Sequence, residues 1–307
     1  MGEGFPGGLC YNRTMITRLR RSLLYVPCDS MKMLEKAALL PADVVLLNLE
    51  DGIAADRKEQ ARANAVRALR SLDFGRREVV VRINAPESAT GRRDLEASVP
   101  CRPDGICLPK VERPETLQIV EAALEALEVA CGLPAGTIRI HAMIESGAGM
   151  LSASAIAAAS NRMAALVFGS ADFASDVRCT PGPDRNELLL ALQTIVAAAH
   201  AASVDAIDAP CFEIHNLPLL RRETEQARRF GFDGKGALHP NQIQPIHEVF
   251  NVKPEEVDWA ERVMAELREA ETRGRALATL EGSLIESPHR IAAERILRRK
   301  QLAEENG

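Results

Sequence analysis

The 307 residues are enough for one large α/β barrel or two small domains, and an apolar share of 46% excludes a chain that is disordered throughout. A net charge of −5 and only 4% aromatic residues exclude a basic phosphate-tracking stripe and a stacking platform for single-stranded nucleic acid. No apolar run approaches the ~20 residues of a membrane span, and the seven cysteines lack any C-x-x-C pair, the pattern of reduced thiols rather than a disulfide frame or zinc site.

Residues 1–14 are glycine-rich, without periodicity, and read as a disordered tail, with Met15 a natural start. Arg13, Arg18, Arg20 and Arg21 hint at a transit peptide but lack an amphipathic pattern, so the expected location is the cytoplasm, with the mitochondrion as the alternative. Ser22 to Val26 is the first predicted strand, followed by a helix from Met31 to Leu40. Asp43 to Leu49 is the second, running into Glu50-Asp51-Gly52 and a charged helix from Lys58 to Leu69. Glu78 to Ile83, Gly105 to Leu108, Ile138 to Ile144 and Ala164 to Phe168 follow as strands three to six, with helices predicted over Pro114 to Ala130 and Ala153 to Ala159. An Ala-rich helix from Glu187 to Ala202 precedes the last two strands, Ala206 to Ala209 and Gly236 to Leu238, the latter ending in His239-Pro240. Strands alternating with helices imply βαβ units and a parallel sheet, and eight of them fit a closed (β/α)₈ TIM barrel over residues 15–253 better than an open sheet.

After Pro254 the rhythm changes. Residues 254–307 are expected to form a long helix, Glu255 to Arg273, a linker from Gly274 to Leu280 with Gly274 and Gly282 as hinges, and a basic amphipathic helix, Arg290 to Ala303, with Ile291, Ile296 and Leu297 as its docking face. This segment is too small to fold alone and must pack on a barrel, its own or a neighbour's.

Two strand ends carry the chemistry. Met143-Ile144-Glu145-Ser146-Gly147 and Phe168-Gly169-Ser170-Ala171-Asp172 each run from a short apolar strand into a carboxylate among small residues. A carboxylate there sits at the face where α/β barrels place their active sites. Glu145 and Asp172 could share one hard cation such as Mg²⁺, which takes few carboxylates plus water and substrate oxygens. The alternative is that one of them is a helix N-cap or a surface acid. The mouth would also present Glu50, Asp51, Arg82, Lys110, Asp208 and His239, an acidic set around one arginine. Arg82 suits bidentate pairing with a substrate carboxylate, against a structural ion pair with Glu50 or Asp51. A 2-oxo acid chelated to Mg²⁺ would be polarised for making or breaking a carbon–carbon bond. Lys110 is expected to ion-pair rather than form a Schiff base, and His239 to be a hydrogen-bonded turn residue.

Seven ordered motifs, Arg21-Ser22-Leu23-Leu24-Tyr25-Val26-Pro27, Leu49-Glu50-Asp51-Gly52, Val81-Arg82-Ile83-Asn84, Leu108-Pro109-Lys110-Val111-Glu112, Ile144-Glu145-Ser146, Phe168-Gly169-Ser170-Ala171-Asp172 and His239-Pro240-Asn241-Gln242-Ile243, resemble the citrate lyase β-subunit-like CoA-ester lyases of the HpcH/HpaI aldolase superfamily, which include malyl-CoA and citramalyl-CoA lyases. The resemblance spans roughly residues 20 to 300. It implies a TIM barrel with a C-terminal lid, Mg²⁺ (with Mn²⁺ as a substitute), coenzyme A as part of the substrate, and a homotrimer or hexamer.

By position, the resemblance implies Glu145 and Asp172 as metal ligands and Arg82 as the grip on glyoxylate or pyruvate. It implies Glu50 and Asp51 as holders of metal-bound water. Tyr25, Lys36 and Ala171 fall at substrate-binding positions, and Glu286 at the acid/base position of a lid that covers a neighbouring subunit's site. Three departures stand out. Ser30 replaces a CoA-binding arginine, Asn48 replaces an aspartate, and Glu286 replaces an aspartate in Gly282-Ser283-Leu284-Ile285-Glu286. The activity implied is reversible cleavage of a 3-hydroxyacyl-CoA such as citramalyl-CoA or malyl-CoA to acetyl-CoA plus pyruvate or glyoxylate. The alternatives are a citrate lyase β subunit acting on an acyl-carrier-protein thioester, a malyl-CoA thioesterase, and a non-catalytic acyl-CoA-binding protein.

Overall fold

The computed structural model describes residues 18–275 and 277–306, so the expectation for residues 1–14 lies outside the described part. Within it the chain divides into two compact units, Arg20–Asn251 and a second comprising Val252 onward with the residues preceding Arg20.

The first unit is a closed barrel of eight parallel strands in sequence order. It runs β1 (Ser22–Pro27), α1 (Met31–Ala37), β2 (Val44–Asn48), α2 (Lys58–Ser71), β3 (Glu78–Arg82), α3 (Ala89–Ser98), β4 (Gly105–Leu108), α4 (Pro114–Ala130) and β5 (Arg139–Ile144). Then come α5 (Gly147–Ala157), β6 (Met163–Phe168), α6 (Ser170–Asp176), α7 (Leu189–Ala201), β7 (Asp205–Asp208), α8 (Leu217–Phe230), β8 (Gly234–Ala237) and α9 (Ile243–Phe250). β2, β4 and β6 read as nearly unbroken apolar runs because both faces are covered. Leu23, Val44, Leu46, Val80, Cys107 and Met143 belong to the small cluster that fills the barrel, with Tyr25 packed on it. Alternate residues such as Leu24, Val45, Val81, Ile106 and Ile144 join the larger cluster beneath the helices. The barrel closes between β1 and β8 through Ser22↔Lys235 and Leu23↔Gly236. β8 begins at Gly234, two residues before the predicted start, where a Cβ would lie 1.8 Å from the Arg20 carbonyl oxygen.

The N-terminal end of the barrel holds a buried ionic network. Arg20 reaches Glu78 at 2.5 Å and Asp205 at 2.6 Å, and His141 Nε2 stands 3.3 Å from Glu78. Arg21 pairs with Asp43 at 2.7 Å. Arg20 and Arg21, which in the sequence hint at a transit peptide, are thus structural residues of the barrel. Among the described residues no helix is long and apolar enough to cross a membrane.

The second unit contains α10 (Pro254–Thr272), β9 (Ala278–Leu280), β10 (Ser283–Ile285) and α11 (Ser287–Asn306). It has its own small core of Ala260, Val263, Met264, Leu267, Ile285 and Ala293, against which Ile296 and Leu297 pack. The predicted linker contains strand β9, paired antiparallel to β10 through Leu280↔Ser283. Glu281 (φ 53°) and Gly282 (φ 82°) make the two-residue turn between them, so Gly282 is a hairpin-turn residue rather than a hinge.

Candidate active site

Each strand end at the C-terminal face is held by its own polar frame. After β2, Asn48 donates its amide to the Asp51 carbonyl at 2.6 Å and accepts from the Glu50 N–H at 3.2 Å. Both roles of an amide are used, and an aspartate here could not donate. Lys58 Nζ, on the first residue of α2, donates to the carbonyls of Leu49 and Glu50 at 2.8 and 2.6 Å, and Asn84 Nδ2 to that of Leu49 at 3.0 Å. The acidic turn Glu50-Asp51 is thereby fixed.

Arg82, the last residue of β3, is 6% exposed. Its Nη2 pairs closely with Glu50 and stands 3.5 Å from Asp51. Its buried Nε has no hydrogen-bond partner among the described residues. Lys110, just past β4, has a left-handed backbone (φ 51°). Its N–H donates to Glu145 Oε1 at 2.7 Å, while its Nζ stands 3.2 Å from Glu50 and 3.3 Å from Asp51. Burial alone would lower the Lys110 pKa, but the Glu50 and Asp51 carboxylates raise it. Burial alone would raise the Asp51 pKa, but its hydrogen bond with Glu50 and the Lys110 and Arg82 cations lower it.

Glu145, at the end of β5, is 3% exposed. Burial pushes its carboxyl up to about 7 against the pull of Arg82 and the Lys110 N–H, with Asp172 and Glu50 adding to the rise. It lies so close to the start of the β6–α6 connection that a Cβ on Gly169 would sit 2.4 Å from Glu145 Oε2. Neither candidate ligand is a helix N-cap by side-chain hydrogen bond. Ser146 caps α5, accepting from Gly149 N–H at 3.1 Å, and that cap starts α5 at Gly147 instead of the predicted Ala153. Asp172 is exposed in the first turn of α6. Tyr25 lies under this group; burial raises its hydroxyl pKa, with Arg82, Cys107 and Glu145 all near enough to act on it.

Tyr25, Glu50, Asp51, Arg82, Lys110, Glu145 and Asp172 are therefore one electrostatically connected group. Four carboxylates face two cations, and the most buried of them, Glu145, has its pKa raised by burial. That donor set fits a divalent cation. No three ligand-type side chains converge into a cage among the described residues, and Mg²⁺ usually needs only one or two carboxylates plus water and substrate oxygens.

Other expected residues stand apart. Asp208 is fully buried and does not open onto the mouth, because Arg185 binds both its oxygens at 3.0 and 2.9 Å and Lys235 stands 2.7 Å away. His239 accepts from the Asn241 N–H at 3.2 Å and caps the 3₁₀ turn Pro240–Gln242, the turn role expected of it. Lys36 is exposed in the last turn of α1, and Ala171 is exposed beside a cleft of about 370 Å³ that Ser170, Leu188, Pro210 and Glu223 also line. Glu286 belongs to the second unit, exposed between β10 and α11, its N–H 3.3 Å from His289 Nδ1. Sequence reasoning missed Lys58, the necessity of Gly169 and the two cations, Arg185 and Lys235, that bind Asp208. A lysine soon after Glu-Asp-Gly was a weak signal for the first, and nothing local signals the others.

A closed (β/α)₈ barrel with an acid-ringed arginine at the C-terminal ends of its strands has the layout of a barrel enzyme. Residues 21–240 match the family model for HpcH/HpaI aldolase/citrate lyase, and the chain belongs to that family; it is a carbon–carbon lyase by class. Among its relatives, the (3S)-malyl-CoA thioesterase of Cereibacter sphaeroides is 35% identical over 277 residues, 90% of this chain and 93% of that protein. The mitochondrial citramalyl-CoA lyase of Rattus norvegicus is 32% identical over 288 residues, 91% and 85% of the two chains. The CitE protein of Mycobacterium tuberculosis, solved in complex with magnesium, acetoacetate and coenzyme A, superposes with a TM-score of 0.72 at 30% identity, covering 93% of this chain and 99% of that one.

Proposed function

We propose that this protein is a Mg²⁺-dependent CoA-ester lyase. It would cleave a 3-hydroxyacyl-CoA that carries a carboxylate on the hydroxyl-bearing carbon, such as citramalyl-CoA or malyl-CoA, into acetyl-CoA and pyruvate or glyoxylate. The observation that carries the reading is the pairing of a buried, under-compensated carboxylate, Glu145, with a buried arginine whose Nε lacks a partner. A divalent cation satisfies the first and a small carboxylate the second.

Glu145 and Asp172 would hold the metal, which when bound supplies Lewis-acid polarisation of the hydroxyl or keto oxygen. Arg82 orients the substrate carboxylate, and Glu50 and Asp51 hold Arg82 and water in place. In the cleavage direction a base takes the hydroxyl proton and the carbon–carbon bond breaks. The electron pair passes to the enolate of acetyl-CoA, and Glu286 donates a proton to the enolate carbon. The protein assembles as a homotrimer or hexamer in which the tail of one subunit brings Glu286 to another. Support comes from the exposed position of Glu286 and from the CoA-ester chemistry of the relatives. The expected location is the cytoplasm.

A second reading, hydrolysis of malyl-CoA, is favoured by the thioesterase relative alone. Incubation of the purified protein with citramalyl-, malyl- and methylmalyl-CoA plus Mg²⁺, followed by product analysis, decides between them. Acetyl-CoA with pyruvate or glyoxylate is the expected outcome from citramalyl- or malyl-CoA. Free malate with free CoA marks the thioesterase, and turnover of none of the three, with activity restored on a carrier-protein thioester, marks a citrate lyase β subunit.

A further inference from the structure

We infer that Lys110 is a positioning residue which keeps Arg82 available to the substrate carboxylate by sharing Arg82's two acidic partners, while its backbone N–H aims Glu145. The inference rests on the lyase reading above. Arg82 has one guanidinium and two acidic neighbours, Glu50 and Asp51, both on its Nη2 side. Left alone with both, the guanidinium would be over-neutralised, and an incoming carboxylate would meet net negative charge. Lys110 Nζ lies 3.2 Å from the Glu50 oxygen that Arg82 does not hold, and 3.3 Å from the Asp51 oxygen that Arg82 approaches. Two cations thus share two carboxylates, and Arg82 Nε, buried and unpartnered among the described residues, is left as the donor for substrate.

The backbone of Lys110 makes the second connection. Its left-handed φ of 51° accompanies an N–H that donates to Glu145 Oε1 at 2.7 Å. A non-glycine residue in that region is uncommon, and its strain persists where the surrounding structure demands it. At this position the side chain must be long and cationic for Glu50 and Asp51, while the main chain turns toward Glu145. A glycine would meet the second demand and fail the first. Lys110 thus ties three strand ends, those of β2, β4 and β5, into one frame, using its ammonium for the oxo-acid side and its amide for the metal side.

The two halves separate experimentally. Lys110→Met keeps the stem and removes the charge; Lys110→Gly also relieves the left-handed backbone and covers the case in which the methionine variant does not fold; Lys110→Arg restores the charge. Full-length protein is titrated calorimetrically, first with Mg²⁺ alone, then with pyruvate and with glyoxylate at saturating Mg²⁺. Removing a cation beside a negative site leaves Mg²⁺ affinity unchanged or tighter, while 2-oxo acid affinity falls about tenfold. Lys110→Arg recovers most of that loss. A purely structural role would weaken Mg²⁺ and oxo acid together in every folded variant, and that result overturns the inference, as does full pyruvate affinity in both charge-free variants. If the wild-type protein itself binds neither acid, the lyase reading falls and takes this role with it; if the wild type binds and every folded charge-free variant binds equally, the role alone falls.

Discussion

Glu145 sets stability against chemistry within one side chain. Burial lifts its carboxyl from 4.5 to about 7, so the folded protein holds a proton that the unfolded chain releases. Between those values the native state binds more protons than the unfolded state, and stability falls as pH rises through the window; above it the full penalty remains, on the order of 3 kcal/mol. Glu145→Gln should therefore melt at a higher temperature than wild type at pH 8 without metal, with the difference fading toward pH 4.5. The same variant should lose Mg²⁺ binding. In the wild type the metal competes with that proton, so Mg²⁺ affinity should weaken by up to about tenfold per pH unit below about 7. Melting curves and Mg²⁺ titrations from pH 5 to 8 check both statements; equal melting temperatures at pH 8, with Mg²⁺ binding intact in the variant, would contradict them. Arg82 gives a second test at this scale. Arg82→Lys keeps a positive charge but loses the Nε donor and the planar fork. We expect kcat/KM to fall by about 10²-fold or more, an effect worth roughly 3 kcal/mol, and a lysine variant with full kcat/KM and normal pyruvate affinity would remove the assignment.

At the scale of elements, the C-terminal end of β7 is tied to the start of β8 by charge rather than by chemistry. Lys235, fully buried on β8, contacts Asp208 at 2.7 Å, Glu223 at 3.1 Å and the Ala209 carbonyl at 2.6 Å. Burial would raise the Asp208 carboxyl, but Arg185 and Lys235 hold it below its ordinary value. Removing one member strands a buried charge, so Lys235→Met should cost about 3–5 kcal/mol in urea unfolding. Mg²⁺ affinity of the folded fraction should stay within about twofold, since β7 and β8 carry no ligand in this assignment; a large loss of metal affinity would place Lys235 in the site. This is also where sequence reading was weakest. Asp208 sits at a strand end, as Glu145 does, and only the partner from a distant loop, Arg185, tells a structural acid from a catalytic one. β2, β4 and β6 are legible because burial on both faces leaves an apolar run, and β4 and α4 match their predicted bounds, whereas β8, Gly-Lys-Gly-Ala, carries no such run and starts two residues early. The β9–β10 hairpin escaped because three-residue strands carry no periodicity, and only the Glu281-Gly282 turn marks it. Lys110 was legible as an ion-pairing residue, but its left-handed backbone and its bond to Glu145 depend on how β4 and β5 meet.

At the scale of the whole molecule, the proposed cleavage needs a source for the proton that the enolate carbon takes up. Glu286 lies in the second unit, at the junction of β10 and α11, exposed and with no partner for its carboxylate among the described residues. Its position is well defined within that unit. Ile285 beside it is buried in the small core, and the Glu286 carbonyl accepts from His289 N–H at 2.9 Å, fixing the first turn of α11. A carboxylate without a partner, on a backbone anchored by its neighbours, suits delivery to a site built elsewhere. We predict that Glu286 serves the active site of a neighbouring subunit. Glu286→Gln preserves size and hydrogen bonding but cannot donate or take a proton, so kcat should fall by roughly 10²–10⁴-fold while Mg²⁺ and oxo-acid affinities barely change. Arg82→Ala should be inactive for the opposite reason, with its tail intact and its substrate grip gone. Mixing the two inactive proteins lets an intact barrel from one meet an intact tail from the other. Some activity should return once mass measurement confirms subunit exchange, because mixed oligomers then contain sites with both Arg82 and Glu286. If exchange is complete and activity stays at the level of the parents, delivery between subunits is ruled out, and the proton must come from within the same chain.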